Sequence, residues 1–312
     1  MDQKLASHHL ASISLAKILK LSKRYMLKTI LTTCLLTFFC MGAFAQQDPS
    51  EQVNQLISAE YNLSVLAAKK GLLTAYQTFG DENSLFYTPA PTPFKLFIKN
   101  KPQVPDVMQW KPVYAKVAKS DEWGFTTGRI NWQKVGHQKK YGEYLCLWKR
   151  DSKGEWKIAH RAISEHGKPA SQADVIFESP ANNKYRKSRS RARLKQREDI
   201  ILSTDQLFAT ILKADNQTAF KEFLTAGARI YLPGMEPIIG LSHIQSILKK
   251  QEINIESIEG VVDRAYSGEL AFSQGDAIIR QGNKLTKCYY MRIWELQEDA
   301  MWKVSVDMYF EK

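Results

Sequence analysis

The chain has 312 residues, of which 44% are hydrophobic and 24% charged, and its formal net charge is +12. This is the composition of an ordinary globular protein, which excludes an unfolded or fibrous chain. The length is sufficient for two hydrophobic cores of about 100–150 residues each.

The N-terminal stretch KTILTTCLLTFFCMGAFA, residues 28–45, has the order of a secretory signal peptide. A positive charge precedes a short apolar run, and Ala43 and Ala45 form a small-residue cleavage site before Gln46. The apolar run is too short for a comfortable membrane span. We therefore expect residues 1–45 to be an N-terminal extension and signal peptide, starting at Met1 or Met26. The mature protein is expected to be exported, to the periplasm or the cell exterior.

The positive charge of the mature chain is concentrated in one segment. Removing residues 1–45 takes six Lys/Arg and one Asp from totals of 44 and 32, which leaves a net charge of +7. Residues 184–197, KYRKSRSRARLKQR, contribute eight basic residues and no acid. Such a run is typical of a nucleic-acid-binding arm or of a solvated linker that continues into a helix. Export favours the linker, so we expect no nucleic-acid partner, while contact with an anionic envelope surface stays open.

The sequence on either side of this segment repeats itself. Each half begins with apolar residues at helical spacing, continues into a strand that proline stops, and ends in a hairpin flanked by tryptophans. The matching stretches lie 144 to 147 residues apart, which indicates an internal duplication. They are SLFYTP (84–89) with ARIYLPG (228–234), GFTTGRI (124–130) with AFSQGDA (271–277), and CLWKRDSKGEWKIAH (146–160) with YMRIWELQEDAMWKVSV (290–306).

Helices followed by several strands predict an α+β fold with an antiparallel sheet that helices cover on one face. We place the first domain at residues 46–166, a basic linker at 167–197 and a more divergent second domain at 198–312. Within the hairpins, period-two alternation assigns side chains to shared strand faces. The predicted faces are Tyr144, Cys146 and Trp148; Trp156, Ile158 and His160; Tyr290, Arg292 and Trp294; and Trp302, Val304 and Val306. Tryptophans on adjoining strands favour cross-strand packing over direct ligand contact.

Four stretches of the first half resemble the SnoaL-like, nuclear transport factor 2-like (NTF2-like) superfamily, specifically a secreted branch of unassigned function. They are AEYNLSVLAAKKGLLTAYQTF, LFYTP, WGFTTGRI and YGEYLCLWKRDSKGEWKIAHRAIS. The second half resembles it more loosely through FKEFLTAGARIYLPG, GLSHIQSIL and MWKVSVDMY. The resemblance implies two tandem cone-shaped domains, each a curved antiparallel sheet wrapped around N-terminal helices, with a largely apolar pocket. It also implies either a pseudo-dimer within the chain or a homodimer. The superfamily includes both enzymes and binding domains, so the resemblance does not transfer a chemistry.

His160 is the best catalytic candidate, because an imidazole beside an aromatic side chain can exchange protons near neutral pH. The alternative is a structural histidine, and the second half has Val306 at this position. Glu60 and Tyr61 on the first helix could project into the cone, although a glutamate there is expected to face solvent. Alternation separates Asp307 from the face of Trp302. The second half also offers Asp276 as part of a polar set. The candidate ligand-contacting residues are Tyr61, Arg129, Tyr144, Trp148, His160, Tyr231, Tyr290 and Arg292.

The sequence contains no CxxC pair and no His/Cys cluster, so we expect neither a metal nor a cofactor. Cys146 and Cys288 each lie inside a strand-like run, which predicts two buried free thiols. The motifs of common hydrolases, metalloproteases and nucleotide-binding proteins are missing. The favoured interpretation is an exported, non-catalytic protein that binds a small apolar or amphipathic molecule, or mediates association, through its cone pockets. The alternative is an isomerase-, cyclase- or hydratase-like enzyme that uses His160 or a pocket carboxylate for proton transfer.

Overall fold

The structure is a computed structural model. It describes residues 49–87, 90–100, 107–170, 172–186 and 190–312, except for the side chains of Pro49, Arg191 and Glu259. The predicted signal peptide and its cleavage site lie outside these residues. No helix among the described residues is long and apolar enough to cross a membrane.

In its described residues the first unit has three helices and a mostly antiparallel sheet of eight strands. The helices are α1 (Pro49–Lys70), α2 (Leu72–Phe79) and α3 (Phe94–Asn100). The strands are β1 (Gly80–Tyr87), β2 (Pro91–Pro93), β3 (Val107–Trp110), β4 (Tyr114–Val117), β5 (Trp123–Gln133), β6 (Lys140–Arg150), β7 (Trp156–His166) and β8 (Ile176–Glu178). The strand order is β2-β1-β7-β6-β5-β4-β8, and β3 pairs with β5 outside this path.

The second unit repeats this plan with three helices and a six-stranded sheet. The helices are α4 (Arg191–Ala214), α5 (Asn216–Phe223) and α6 (Leu241–Lys250). The strands are β9 (Leu224–Tyr231), β10 (Ile238–Ile239), β11 (Ile253–Arg264), β12 (Leu270–Gln281), β13 (Lys284–Leu296) and β14 (Trp302–Glu311). The order β10-β9-β14-β13-β12-β11 matches the order β2-β1-β7-β6-β5-β4 of the first sheet, which also contains β3 and β8.

Both sheets depart from the antiparallel prediction at one equivalent place, and the first sheet does so a second time where β8 pairs with β4. The strand that follows the second helix pairs in parallel with the last long strand, β1 with β7 and β9 with β14. The chain must cross the whole sheet between these two strands, so a hairpin cannot join them. The predicted α+β class with two helix-covered sheets is confirmed.

The inner face of each sheet packs on the helices of its own unit. In the first unit the buried apolar stripe of α1, including Leu56 and Leu63, contacts Cys146, Trp148 and Ile158 in one cluster. The second unit has a separate cluster built in the same way around α4 and β13. Because each helix stripe is covered by its own sheet, the two units have separate cores.

The outer faces of the two sheets pack against each other. A third buried cluster takes Trp123, Phe125 and Leu147 from the first unit, and Phe272 and Met291 from the second. The two units therefore form a dimer-like pair within one chain.

Two equivalent turns meet at the edge of this interface with approximate two-fold symmetry. The hydroxyl oxygens of Ser120 and Ser267 lie 2.7 Å apart. The backbone N–H of Tyr266 donates to Glu122 (2.6 Å), and that of Lys119 donates to Glu269 (2.6 Å). Each turn thus donates a backbone N–H to a glutamate of the other turn, as in an isologous contact between identical subunits.

The segment predicted as the basic linker contains two regular elements. Its strand β8 pairs in parallel with β4 of the first sheet, and its last residues form the first turns of α4. The exact domain bounds stay a prediction. Cys146 and Cys288 are both free and buried, as expected.

Candidate functional site

Glu60 is the centre of a polar cluster inside the first cone, and its side chain has no exposed surface. Its carboxylate accepts hydrogen bonds from the indole Nε1 of Trp110 (2.5 Å) and of Trp148 (3.1 Å). The hydroxyl of Thr126 donates to the same group at 2.5 Å, and Arg161 Nη1 donates at 3.0 Å. The expectation that Glu60 faces solvent is therefore wrong. A buried carboxylate is stable here because a charge and three neutral donors satisfy it.

Arg161 is the cationic partner of Glu60 and is 2% exposed. Its guanidinium lies 4.4 Å from the ring centre of Tyr144 and 4.9 Å from that of Trp110, in cation–π geometry. Its Nε and Nη2, together with the Tyr144 hydroxyl, are buried and form no hydrogen bond of normal geometry with the described residues. Tyr76 and Cys146 lie near the guanidinium, and Thr126 lies near the Tyr144 hydroxyl. A guanidinium carries five N–H donors, so the first cone holds donors that its own side chains leave unused.

The protonation states in this cone follow from burial and from the contact between Arg161 and Glu60. Burial raises the pKa of the Tyr144 hydroxyl well above its usual range, and it also raises the pKa of the Cys146 thiol. Burial is the largest single influence on the pKa of Arg161 and lowers it, but Glu60, Tyr76, Cys146 and Tyr144 together outweigh burial and the pKa rises. At neutral pH the cone therefore contains a neutral phenol, a neutral thiol and a charged guanidinium.

The second cone has a corresponding cluster around Asp205 of α4, which has no exposed surface. Its carboxylate accepts hydrogen bonds from Ser273 (3.0 Å), the Tyr290 hydroxyl (2.5 Å) and Arg292 Nη1 (2.5 Å). The indole of Trp294 donates to the Ser273 hydroxyl at 2.9 Å, which continues the network.

Arg292 differs from Arg161 in having two carboxylate partners. Its Nε donates to Asp307 at 3.0 Å, and its Nη2 donates to the Tyr309 hydroxyl at 3.2 Å. Tyr309 in turn donates to Asp307 at 2.7 Å. Burial raises the pKa of Asp307, against the opposing effect of Arg292 and Tyr309. All three guanidinium nitrogens thus have protein partners, so the arginine of the second cone has no unpartnered nitrogen.

The two clusters occupy equivalent positions of the duplicated units, but the arginine has changed strands. Glu60 corresponds to Asp205, Thr126 to Ser273, Tyr144 to Tyr290, Cys146 to Arg292, Trp148 to Trp294 and Arg161 to Asp307. The arginine therefore lies on β7, the last long strand of its unit, in the first cone. In the second cone it lies on β13, the strand next to the last strand β14. In each cone it still meets the carboxylate of the first helix.

A β-bulge explains why alternation misplaced several of these residues. Leu147 pairs with His160 and Trp148 pairs with Ile158, so Ala159 is an extra residue in β7. Ser305 is the extra residue at the same place in the second unit. A single inserted residue reverses the face of everything beyond it. Arg161 and Asp307 consequently point into the cones, while His160 and Val306 point to the interface.

The grouping of His160 with Trp156 and Ile158 is therefore wrong, as is that of Val306 with Trp302 and Val304. Trp156 and Ile158 belong to the core of the first cone. His160 instead faces Phe272 of the second unit, with ring centres 4.6 Å apart, and Tyr87 at 6.5 Å. The separation of Asp307 from the face of Trp302 is wrong for the same reason, because Trp302 and Val304 pack on the core of the second cone and Asp307 binds Arg292 inside that cone.

His160 should make the interface sensitive to acid. Desolvation lowers the pKa of His160 to about 4. The nearby Asp263 carboxylate acts to raise this pKa, and the Lys149 ammonium acts to lower it further. An unfolded histidine titrates near 6.5, so between pH 6.5 and 4 the unfolded state binds a proton that the folded state does not. Burial of neutral His160 therefore contributes its full stability above about pH 6.5, and this contribution is lost by about pH 4. The free energy of unfolding should fall by about 3 kcal/mol over this range because of His160.

Urea unfolding of the wild type and of His160→Phe at pH 7, 5.5 and 4 measures this effect. The wild type should lose about 3 kcal/mol more than the variant over this range, since carboxylate titrations are common to both. Equal losses in the two proteins would refute the assignment.

The structure brings together four of the eight predicted ligand-contacting residues in two separate clusters. Tyr144 and Trp148 line the first polar cluster, and Tyr290 and Arg292 line the second. The other four lie elsewhere, His160 among them at the interface beside Phe272. Tyr61 is 41% exposed on α1, Arg129 forms ion pairs with Glu143 and Glu236 outside the cones, and the Tyr231 hydroxyl meets Thr127 at the interface. The Asp276 side chain is half exposed and pairs with Lys312.

A groove of about 480 Å³ opens beside the first cone. One stripe of α1, including Ser58 and Ala59, forms one wall, and Phe79 and Trp156 form the other. Phe79 separates this groove from the cluster, because its ring lies edge-on to Trp148 at 6.0 Å, and Trp148 donates to Glu60. The polar cluster itself is closed to solvent.

The strand order, the parallel pairing of the first and last long strands and the helices inside each sheet reproduce the predicted cone twice. Both units have the NTF2-like fold. No protein-family profile matches the sequence, and no curated protein matches it. The secreted branch of the superfamily stays a prediction.

Several solved structures are similar to part of this chain. An NTF2-like protein from Cytophaga hutchinsonii is 13% identical, covers 36% of this chain and 97% of its own, and has a TM-score of 0.32. An LEH-like epoxide hydrolase from M. tuberculosis is 10% identical, with 36% and 77% covered and a TM-score of 0.29. ActVI-ORFA from Streptomyces coelicolor is 10% identical, with 36% and 94% covered and a TM-score of 0.29. Similarities at this level do not assign a reaction or a ligand to an NTF2-like chain.

Proposed function

We propose that this protein is an exported, non-catalytic binding protein whose first cone holds a small amphipathic molecule. The unused donors of Arg161 and Tyr144 carry this proposal, because they lie among aromatic side chains at the centre of the cone. A ligand with a carbonyl or carboxylate oxygen would satisfy them, and its apolar part would contact the aromatic wall.

The groove beside the first cone supports a route for such a ligand. Phe79 and Trp156 offer an apolar surface there, and Phe79 is the side chain that stands between the groove and Trp148. Rotation of Phe79 would join the groove to the buried donors. The second cone, where Arg292 is fully paired, would then be the structural partner of the first.

The same geometry disfavours the alternative of an isomerase-, cyclase- or hydratase-like enzyme. His160, the expected proton-transfer group, lies at the interface and not in a cone. Glu60 already accepts hydrogen bonds from two indoles, a hydroxyl and Arg161, so it is not positioned as a free base.

A pair of matched tyrosine variants tests the proposal. Tyr144→Phe removes an unpaired hydroxyl, so it should leave the unliganded protein as stable as the wild type and weaken ligand binding about tenfold. Tyr290→Phe removes a hydroxyl that donates to Asp205, so it should cost about 1–3 kcal/mol of stability without affecting binding.

The measurement is the thermal shift and isothermal titration of the mature protein with straight-chain and aromatic carboxylic acids and their methyl esters and alcohols. The acids should raise the melting temperature most. Absence of a shift with every compound, or an equal response from Tyr144→Phe, would contradict the proposal. Turnover of any of these compounds would favour the enzyme instead.

A further inference from the structure

A second cleft, of about 730 Å³, lies between the two NTF2-like units and is distinct from both cones. The first unit contributes Trp123 and Arg150 to its lining, and the second contributes Glu198 of α4 and Arg264 at the end of β11. The cleft adjoins the two symmetric turns and the start of α4, so it exists only because the two units share one chain.

Arg264 is the unusual residue of this cleft. It is only 7% exposed, yet its guanidinium makes no hydrogen bond or ion pair with the described part of the chain. Its Nε and Nη2 are buried without partners. The buried arginines of the cones, Arg161 and Arg292, both contact carboxylates. Leaving a guanidinium desolvated and unpaired is costly, so an unpaired arginine at a cleft indicates a ligand that completes it.

Two further unused donors lie close to Arg264. The indole Nε1 of Trp123 and Nη1 of Arg197 are buried without a hydrogen-bond partner. Arg197 lies on α4 between Leu194 and Glu198, both of which line the cleft. Burial is the main cause that lowers the pKa of Arg264, and the charge of Arg197 is the next. Glu198, Glu269 and Glu122 each raise this pKa by less than Arg197 lowers it. Arg264 and the Trp123 indole at the cleft, and Arg197 beside it, thus have unpartnered donors. Arg264 forms no ion pair with a described carboxylate, although Glu198, Glu269 and Glu122 act to raise its pKa.

We propose that this cleft binds an oxyanion, a phosphate or carboxylate group, between Arg264 and Arg197 with the Trp123 indole as a third donor. Planar guanidinium groups bind such oxygens with paired N–H donors, and two of them match an anion better than a cation or a neutral molecule. Among the carboxylates of the lining, Asp263 pairs with Lys149 (2.5 Å) and Asp121 with Arg150 (3.1 Å). Glu122 and Glu198 form no ion pair with the described residues, and their charges act against a bound anion.

Gly268 leaves the space that the Arg264 guanidinium occupies, because it has no side chain. Its φ of +88° lies in the left-handed region, and a Cβ added there would come within 2.9 Å of Arg264 Nη2. Gly234 provides a matched control, because its φ is +81° and an added Cβ would meet nothing within 4 Å. Both alanine variants carry the same backbone strain, but only Gly268→Ala displaces the guanidinium.

The test is isothermal titration and thermal unfolding of the mature protein with inorganic phosphate, a phosphate monoester, acetate and succinate, each compared with chloride at equal ionic strength. We expect at least one oxyanion to bind and to raise the melting temperature above that in chloride. Arg264→Met should weaken this binding at least about tenfold, and Gly268→Ala should weaken it while Gly234→Ala does not. The phosphate and carboxylate arms identify which oxyanion the cleft prefers.

A structural role for Arg264 makes the opposite prediction in chloride. If Arg264 stabilised the fold directly, Arg264→Met would lower the melting temperature without any ligand, whereas an unpaired buried charge predicts no loss or a gain. The proposal is overturned by that loss, by equal responses to chloride and all four probes, or by equal effects of the two glycine variants. A ligand of the first cone is not needed for any of these readouts, so failure of the cone proposal leaves this one intact.

Discussion

Replacement of Arg292 by methionine is expected to lower the free energy of unfolding by about 3–5 kcal/mol at pH 7. Asp205 and Asp307 both have no exposed surface and both bind this guanidinium, so its loss leaves two carboxylates buried without a cation. Methionine keeps most of the side-chain volume, so the effect reports the charge rather than a cavity.

Urea unfolding at pH 7 and pH 4.5 measures this loss. The penalty should shrink at the lower pH, because protonation removes the unpaired charge and the pKa of Asp307 is already raised in the native protein. Arg280→Met is the control, since Arg280 pairs with Glu256 at the surface and its loss should cost less than about 1 kcal/mol. Similar losses in the two variants would show that the buried network does not depend on Arg292.

The Glu60–Arg161 pair is expected to show strong coupling in a double-mutant cycle. Glu60→Leu strands a buried guanidinium and should cost about 3–5 kcal/mol, while Arg161→Met leaves Glu60 with its three neutral donors and should cost less. The double variant should be more stable than the sum of the single losses predicts, by about 1–3 kcal/mol.

The exposed pair Lys95–Glu82 is the matched control for this cycle, because its side chains are 78% and 69% exposed. Its coupling should not exceed about 1 kcal/mol. Chemical denaturation of the four proteins in each cycle gives both values. A coupling in the cone no larger than that at the surface would mean that the buried pair does not act as a unit.

Much of the fold follows from local sequence. The duplication is visible because hairpins, strand ends and helices recur at nearly constant separation, and each is encoded by neighbouring residues. The inward face of β6 and of β13 was also predictable. Along β6 the residues of the first core, Tyr144, Cys146 and Trp148, alternate regularly with residues of the interface. The pairing of β6 with β5 contains no bulge that would disturb this alternation.

The polar centres of the cones could have been found by one further comparison of the two units. Glu60 and Asp205, Thr126 and Ser273, and Arg161 and Asp307 are polar residues at equivalent positions. Polar side chains that recur in this way within apolar elements indicate a shared buried network. The periodicity of α1 could not reveal this, because a glutamate beside an apolar stripe usually reaches solvent.

The sequence by itself determined the order of helices and strands, the hairpins and the presence of two units, because spacing and turn chemistry act between residues close in the chain. The tertiary structure decided which charges lie inside. Glu60 can be buried only because Arg161 reaches it across 101 residues. Arg161 points inward only because one extra residue, Ala159, reverses the strand beyond it. The same bulge carries His160 from the cone to the interface, and the contact of the two units creates the cleft around Arg264. A pairing between distant strands sets each of these positions, and no local pattern encodes it.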